Sequence, residues 1–171
     1  STIFDLAMEV CKQSLHQKGI ELCSDNEYIV YGILMSLSKQ DKLQYFKGLQ
    51  ITPTLSGAVF GAISELKHAG ILPEDLSPDK FVDPKKGEDF TLIYARYEEI
   101  LKKTNKIDAC DLVTLATCMI QNDYPFKGQV LIIPSNLRLS RKETEFVHAI
   151  MVHPTTLNNV EILRLQKPFG S

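Results

Sequence analysis

The fold of this chain is decided by the stretch Gly128-Gln-Val-Leu-Ile-Ile-Pro-Ser-Asn-Leu-Arg-Leu-Ser-Arg-Lys-Glu143 and by the helix that follows it. Residues 129–133 form a short apolar, β-branched run between a glycine and a proline, which predicts a strand. Residues 140–143 match a capping box, in which two side chains satisfy backbone amides at the start of a helix. Because residues 160–165 have the pattern of a second strand, we predict one strand–helix–strand unit with parallel strands and a right-handed crossover.

Helical spacing of apolar residues predicts helix for nearly all of residues 1–121. The predicted elements are a helix ended by Gly19, a helix capped by Ser24 or Asp25 and apolar nearly all round over 28–37, a short helix over 41–47 ended by Gly48, a helix from Thr54 to Gly70, a turn at 73–76, and helices over 88–103 and after Asp108. Two prolines and a glycine in residues 77–87 predict a long exposed loop. The predicted core includes Ile29, Ile33, Leu66, Tyr97 and Leu115.

These patterns together predict a mostly α fold. Residues 1–124 form a helical subdomain, and residues 125–171 form a small βαβ segment. Neither segment contains an internal repeat or a low-complexity run.

Composition gives bounds on the class of protein. The chain has 171 residues, 44% hydrophobic and 23% charged, which is ordinary for a globular domain. No apolar run reaches the ~18 residues of a membrane-spanning helix, and no signal peptide is visible, so we expect a cytoplasmic protein without a membrane partner. Because the chain begins with a serine, we also expect it to be cut from a longer protein.

Charge is distributed unevenly along the chain, whose net charge is −2. Residues 1–125 carry 13 basic and 18 acidic side chains, whereas residues 126–171 carry 6 basic and 3 acidic ones. A basic tail suits a phosphate-bearing partner, although scattered surface charge is the simpler explanation.

The sequence contains little that predicts a metal or cofactor. Its four cysteines, Cys11, Cys23, Cys110 and Cys118, form no C-x-x-C pair and do not lie at zinc-finger spacing from any histidine. Three of them, Cys11, Cys110 and Cys118, fall on apolar helix faces and are predicted to be buried free thiols. Glycine-rich phosphate-binding loops are also missing from the sequence, so we expect no cofactor and no ATP binding.

Two groups of charged residues have both a structural and a functional interpretation. Asp108 and Asp111 resemble a paired-carboxylate site, and they also fit a helix N-cap and a first-turn acid. Two basic sets are candidates for DNA phosphate contacts, although the first also suits a helix C-terminus with no partner. These candidates are Lys102, Lys103 and Lys106 in the first set, and Arg138, Arg141 and Lys142 in the second.

Four passages along the chain, taken in order, carry a family resemblance. They are Phe4-Asp-Leu-Ala7; residues 62–76, Ala-Ile-Ser-Glu-Leu-Lys-His-Ala-Gly-Ile-Leu-Pro-Glu-Asp-Leu; residues 93–101 with 107–112, which read Ile-Tyr-Ala-Arg-Tyr-Glu-Glu-Ile-Leu and Ile-Asp-Ala-Cys-Asp-Leu; and residues 130–143. In this order they resemble the B subunit of AddAB-type helicase–nucleases, within the UvrD-type helicase group. The first three match its helical 1B subdomain, and the last resembles a degenerate motif II.

The resemblance implies a helical subdomain joined to part of a RecA-like helicase core, from a DNA repair and recombination protein that works with a partner subunit. One departure from the family concerns the motif II strand. The family usually has Asp-Gly-Phe after this strand, whereas this chain has Pro134-Ser135-Asn136. A carboxylate that would hold Mg²⁺ is therefore missing there.

We therefore expect a non-catalytic fragment of such a subunit that tracks DNA or acts as a scaffold. The alternative is a free-standing helical protein–protein interaction module. A glycine-rich Lys-Ser/Thr loop encoded upstream of this segment, or a nuclease motif downstream, favours the first interpretation.

Overall fold

The structure is a computed structural model that describes residues 2–122, 132–134, 137–153 and 163–165, the second and fourth of these ranges by their backbone alone. The chain divides into two compact units. The larger unit is Lys18–Cys110, and the smaller unit combines Ser1–Gln17 with Asp111–Ser171. None of the helices in the described ranges is long and apolar enough to cross a membrane. The predicted boundary after residue 124 stays a prediction.

Six helices and four short strands make up the described part of the chain. In chain order they are α1 Ile3–Lys18, β1 Glu21–Leu22, α2 Asn26–Lys39, α3 Pro53–His68, α4 Pro84–Lys103, β2 Lys106–Ile107, α5 Ala109–Asn122, β3 Ile132–Pro134, α6 Arg141–Val152 and β4 Leu163–Leu165. Two single 3₁₀ turns, Pro73–Asp75 and Pro78–Lys80, precede α4. The prediction of a mostly α fold with a small parallel sheet is confirmed.

The larger unit is built around α2, which packs against both α3 and α4. The buried residues of α2 are Val30, Ile33, Leu34 and Leu37. Its first turn is different, because Tyr28 is 74% exposed. The helix is therefore central to this unit, but residues 28–37, which are apolar nearly all round in the sequence, are buried on one side only.

Two of the five predicted core residues are buried in the core of the larger unit, and the other three are only partly buried. Ile33 and Tyr97 are buried, whereas Ile29 and Leu66 are partly buried residues packed against this core. Leu115 is half-buried and belongs to the smaller unit.

The start of α3 differs from the prediction by two residues. Thr52, not Thr54, is the N-cap, and its hydroxyl accepts a hydrogen bond from the Leu55 amide at 3.2 Å. Pro53 fits the first helical position because proline has no amide proton to satisfy there. The predicted end is confirmed, since Gly70 adopts a φ of 73° directly after the C-cap.

The predicted helix over residues 41–47 does not form. The buried carboxylate of Asp89 in α4 instead accepts hydrogen bonds from the amides of Gln44 at 2.9 Å, Tyr45 at 2.9 Å and Phe46 at 3.0 Å. This carboxylate holds the segment in an irregular conformation that also buries the Phe46 ring. The helix propensity of these seven residues stabilises a helix less than the hydrogen bonds from three amides to one carboxylate stabilise this conformation.

Residues 77–87 are largely exposed, as predicted, but they are not a continuous loop. They include the Pro78–Lys80 turn and the first turn of α4. A Cβ at Gly87 would lie 2.7 Å from the Phe81 ring and 2.8 Å from the Pro78 Cα, so only glycine fits this close approach. The glycine therefore marks the point where this exposed connection packs against itself.

The sequence predicts no strand in residues 1–121, and a two-residue parallel pair is present there. In this pair Glu21 lies opposite Lys106, and Leu22 lies opposite Ile107. Asn105, with a φ of 54°, donates a side-chain hydrogen bond to the Gly19 carbonyl at 2.7 Å. Strands of two residues are too short to give a periodic pattern, so only the folded chain shows them.

In the smaller unit, α1, α5 and α6 each bury one face. The buried residues are Ala7, Val10, Cys11, Leu15, Leu112, Val113, Ala116, Ile120, Phe146, Val147, Ala149 and Ile150. The Cys11 thiol donates to the Leu112 carbonyl at 3.7 Å. Burial is confirmed for Cys11 and Cys110, but Cys118 is exposed, because the buried face of α5 passes through residues 112, 113, 116 and 120 instead.

The predicted strand–helix–strand unit is present. Strand β3 pairs in parallel with β4, from Ile132 opposite Leu163 to Pro134 opposite Leu165. The capping box is confirmed, because the Glu143 amide donates to the Ser140 hydroxyl at 3.3 Å and the Ser140 amide to the Glu143 carboxylate at 2.8 Å. The earlier parts of both predicted strands, 129–131 and 160–162, lie outside the described residues, and Pro134 belongs to β3.

Candidate functional site

The first basic set lies around the C-terminal end of α4. The Lys103 ammonium contacts the Glu99 carboxylate at 2.7 Å, and Lys106 lies 3.6 Å from Asp25. Lys102 is exposed and forms no ion pair within the described residues. Of the three, Lys102 has the charge most available to a phosphate.

The second basic set lies at the start of α6. Arg141 and Lys142 both reach Glu145, at 3.1 Å and 3.3 Å. Slight burial opposes ionisation of Glu145, but hydrogen bonds from Lys142 and Arg141 outweigh it and lower the pKa of this carboxyl. Arg138 is exposed in the segment before the helix. The two basic sets belong to different compact units.

A buried cluster around Lys67 joins residues that are far apart in the sequence. The Lys67 ammonium lies 2.7 Å from both Glu98 and Asp108. The side chains of Lys67 and Asp108 are each only 5% exposed. The Tyr97 hydroxyl lies 3.1 Å from the Asp108 carboxylate and 2.9 Å from the Asn26 side-chain oxygen. One lysine, two acids and a phenol thus form one continuous polar network.

A second tyrosine adds a tie beside this cluster. Tyr94, also fully buried, donates its hydroxyl to the Ile71 carbonyl at 2.9 Å. Burial, followed by the nearby Glu98 carboxylate, raises the pKa of this phenol, so it stays protonated and keeps donating. The bond holds the turn after α3 against α4.

The cluster acts as a clamp, because its lysine is ion-paired with both of its acids. It connects α3, α4 and the residue directly before α5, all within the larger unit. Charges enclosed in this way stabilise a fold only while every partner is in place. Asp108 is paired with Lys67, and Asp111 lies in the first turn of α5, as its structural interpretation predicts.

Lys67 is the residue that the sequence analysis missed, although its position carried a signal. The buried residues of α3 are Ser56, Val59, Ile63 and Lys67, at intervals of three, four and four. A lysine in line with an apolar stripe is unusual, because lysine is rarely buried without an ionic partner. The spacing therefore places a charge in the core, although it does not identify the acid that meets it.

In the sequence, no acidic residue directly follows the β3 strand. The chain continues after Pro134 with a serine and an asparagine, and these two residues lie outside the described ranges. Among the residues that the structure does describe, no group of three or more histidine, cysteine or acidic side chains is placed to hold a metal ion.

Comparison with models of known protein families and with curated protein sequences gives no match. The resemblance to helicase–nuclease subunits therefore stays a prediction from the four passages of sequence described above.

Proposed function

We propose that this chain is a non-catalytic part of the B subunit of an AddAB-like helicase–nuclease, with a role in DNA tracking or scaffolding. The observation that carries the proposal is the meeting of the resembling passages in the Lys67 cluster. Residues 62–76 contribute Lys67, residues 93–101 contribute Tyr97 and Glu98, and residues 107–112 contribute Asp108. Motifs that share a physical task in the fold are stronger support for a family than isolated matches along a sequence.

The strand–helix–strand unit adds to this proposal. A parallel pair of strands joined by a capped helix is the building block of a RecA-like core. In the proposal, residues 125–171 are part of such a core. The other strands of the core are supplied by other segments of the same subunit. In the proposal, ATP hydrolysis belongs to another part of the complex, because the sequence has neither a carboxylate directly after β3 nor a phosphate-binding loop.

DNA binding by the isolated chain tests the proposal. We expect weak, sequence-independent binding, with a Kd on the order of 10⁻⁴ M or poorer near physiological salt. Fluorescence anisotropy with a labelled forked duplex, measured between about 50 and 200 mM salt, gives both the affinity and its salt slope. In a parallel titration, Mg²⁺-ATP should give no stoichiometric heat; a site tighter than about 1 mM would contradict the non-catalytic assignment.

The variants follow from the ion pairs. Lys102→Glu and Arg138→Glu reverse exposed charges that form no ion pair within the described residues. Each change should reduce the magnitude of the salt slope by about 0.9 per lost contact. Lys80→Glu, an exposed lysine in a separate turn, is the matched control with the same change of charge. Binding that is independent of salt, or equally weakened by the control, would remove both basic sets from the proposal.

A further inference from the structure

A surface cavity of ≈ 580 Å³ lies between the first turns of α2 and α3 in the larger unit. Its volume falls within the roughly 300–1,000 Å³ that is usual for ligand pockets. The residues that give it its character are Asp25, Glu27, Tyr28, Tyr31, Ser56 and Phe60. They form an aromatic and acidic surface, which we call the Tyr28 pocket.

Three aromatic rings line the Tyr28 pocket. The rings of Tyr28 and Tyr31 lie nearly parallel, with centroids 6.2 Å apart and an angle of 22° between the planes. Phe60 is half-buried, and its ring lies 5.8 Å from the buried Tyr97 ring, so the pocket wall is anchored to the core. A large aromatic side chain that is 74% exposed, as Tyr28 is, is typical of binding surfaces.

The pocket is also negatively charged. Asp25 and Glu27 line it, and none of the lining residues within the described structure is basic. A hydrogen bond from the Cys23 thiol, followed by the Lys106 charge 3.6 Å away, lowers the pKa of the Asp25 carboxyl, which is therefore ionised at neutral pH. The Glu27 carboxylate reaches across to α3, where its oxygen lies 3.4 Å from the position of a Cβ on Gly57.

Helix capping does not account for the acid at Asp25. Asp25 occupies the N-cap position of α2, yet its side chain makes no capping hydrogen bond to the helix. One of its oxygens instead accepts a hydrogen bond from the Cys23 thiol at 3.3 Å and lies 3.6 Å from the Lys106 ammonium. The carboxylate is half-exposed at the pocket edge. Because the Asp25 carboxylate is about half exposed and makes no capping hydrogen bond to α2, it can face a cation from outside the chain in addition to Lys106.

We propose that the Tyr28 pocket binds an arginine or lysine side chain presented by a basic segment of a partner protein. The ring faces attract a cation, and the two carboxylates supply the opposite charge. Nucleic acid is disfavoured because its phosphates would meet both acids. The cavity exceeds the needs of one guanidinium or ammonium group, so chain on either side of the cation is also held. The proposal rests on this pocket alone and not on the helicase assignment.

The test uses the whole chain and a short peptide, acetyl-Gly-Leu-Arg-Leu-Gly-amide, followed by NMR amide shifts. The matched peptide carries citrulline in place of arginine, which removes the charge and keeps the shape. We expect shifts confined to residues 24–31 and 53–60, and clearly weaker binding of the citrulline peptide. Guanidinium chloride at low millimolar concentration and a single-stranded oligonucleotide are the competing ligands.

Variants then separate the rings from the charges. Tyr28→Ala should weaken the peptide about two- to five-fold, as expected for an exposed cation–aromatic contact. The double change Asp25→Asn with Glu27→Gln should weaken it roughly two- to ten-fold and remove most of its salt dependence. Tyr45→Ala and Glu74→Gln are the controls, since neither side chain lines the pocket. Both should leave the affinity unchanged.

The outcomes of the NMR titration are distinguishable. Shifts at the pocket that require the peptide's charge, Tyr28 and the two acids support the proposal. Equal binding of the citrulline peptide overturns it. The absence of any shift at about 5 mM peptide, a concentration that would reveal even millimolar affinity, also overturns it. If guanidinium alone binds as tightly as the peptide, the pocket is a small-cation site and the proposal of a protein partner is overturned. If an oligonucleotide shifts the same residues more strongly, the pocket is a nucleic-acid surface and the proposal is overturned as well.

Discussion

Replacing Lys67 with methionine should destabilise the larger unit by about 3–5 kcal/mol, because it leaves a buried carboxylate without its cation. The ammonium lies 2.7 Å from Asp108, and both side chains are 5% exposed, so water does not replace the lost charge. Asp108→Asn should be costly for the same reason, since it removes one of the two carboxylates that lie 2.7 Å from the buried lysine. The Tyr97 hydroxyl also lies within hydrogen-bonding distance of Asp108.

The double variant Lys67→Met with Asp108→Asn is the informative measurement. Both charges are then gone, and Glu98, which is 34% exposed, turns to solvent. We expect the double variant to cost less than the sum of the two single variants, with a coupling energy of about 1–3 kcal/mol. Lys103→Met is the matched control. Its ammonium is also 2.7 Å from a glutamate, but the lysine is 69% exposed, so the loss should stay below about 1 kcal/mol.

Urea unfolding followed by tyrosine fluorescence suits this cycle. The sequence has six tyrosines and no tryptophan, and Tyr28, Tyr31, Tyr45, Tyr94 and Tyr97 all lie in the larger unit. The probe therefore reports that unit even if the two units unfold separately. Single variants that cost less than about 1 kcal/mol, or strict additivity, would refute the clamp, because a buried ion pair must show coupling.

Four further predictions address other parts of the chain. Ile33→Ala should cost about 2–5 kcal/mol by urea titration, since Ile33 is buried in the central helix, and a value below about 0.5 would contradict that position. Asp89→Ala should cost about 1–3 kcal/mol and increase amide hydrogen exchange over residues 44–46, whose N–H groups lose their acceptor; unchanged exchange there would argue against the observed loop. Burial raises the pKa of the Cys11 thiol to about 11, above its ordinary 9.0, so this group's contribution to stability should be lost as the pH rises from 9 to 11, and Cys11→Ala should flatten that loss. A thiol reagent at pH 8 should label Cys118 quickly and Cys11 only after denaturation, and Cys118→Ser should remove the fast phase.

The sequence determined those elements whose causes lie within one turn or one short segment. The capping box at Ser140 needs only a glutamate three residues later, and Gly70 needs only its freedom at positive φ. The long amphipathic pattern of α4 spans more than five turns, so it outweighs local noise. The parallel pairing of β3 and β4 also followed from the sequence, because a helix of this length between two strands permits few other arrangements.

Only the tertiary structure decided features that depend on distant partners. Residues 41–47 have enough helix propensity to suggest a helix. The carboxylate of Asp89, more than 40 positions away, instead accepts hydrogen bonds from the amides of residues 44–46. Lys67 likewise looks like a surface residue until Glu98 and Asp108 meet it. Sequence periodicity records which face of an element is apolar. It does not record which charge lies opposite, because Coulombic and hydrogen-bond partners are set by separations of a few ångströms in the folded chain.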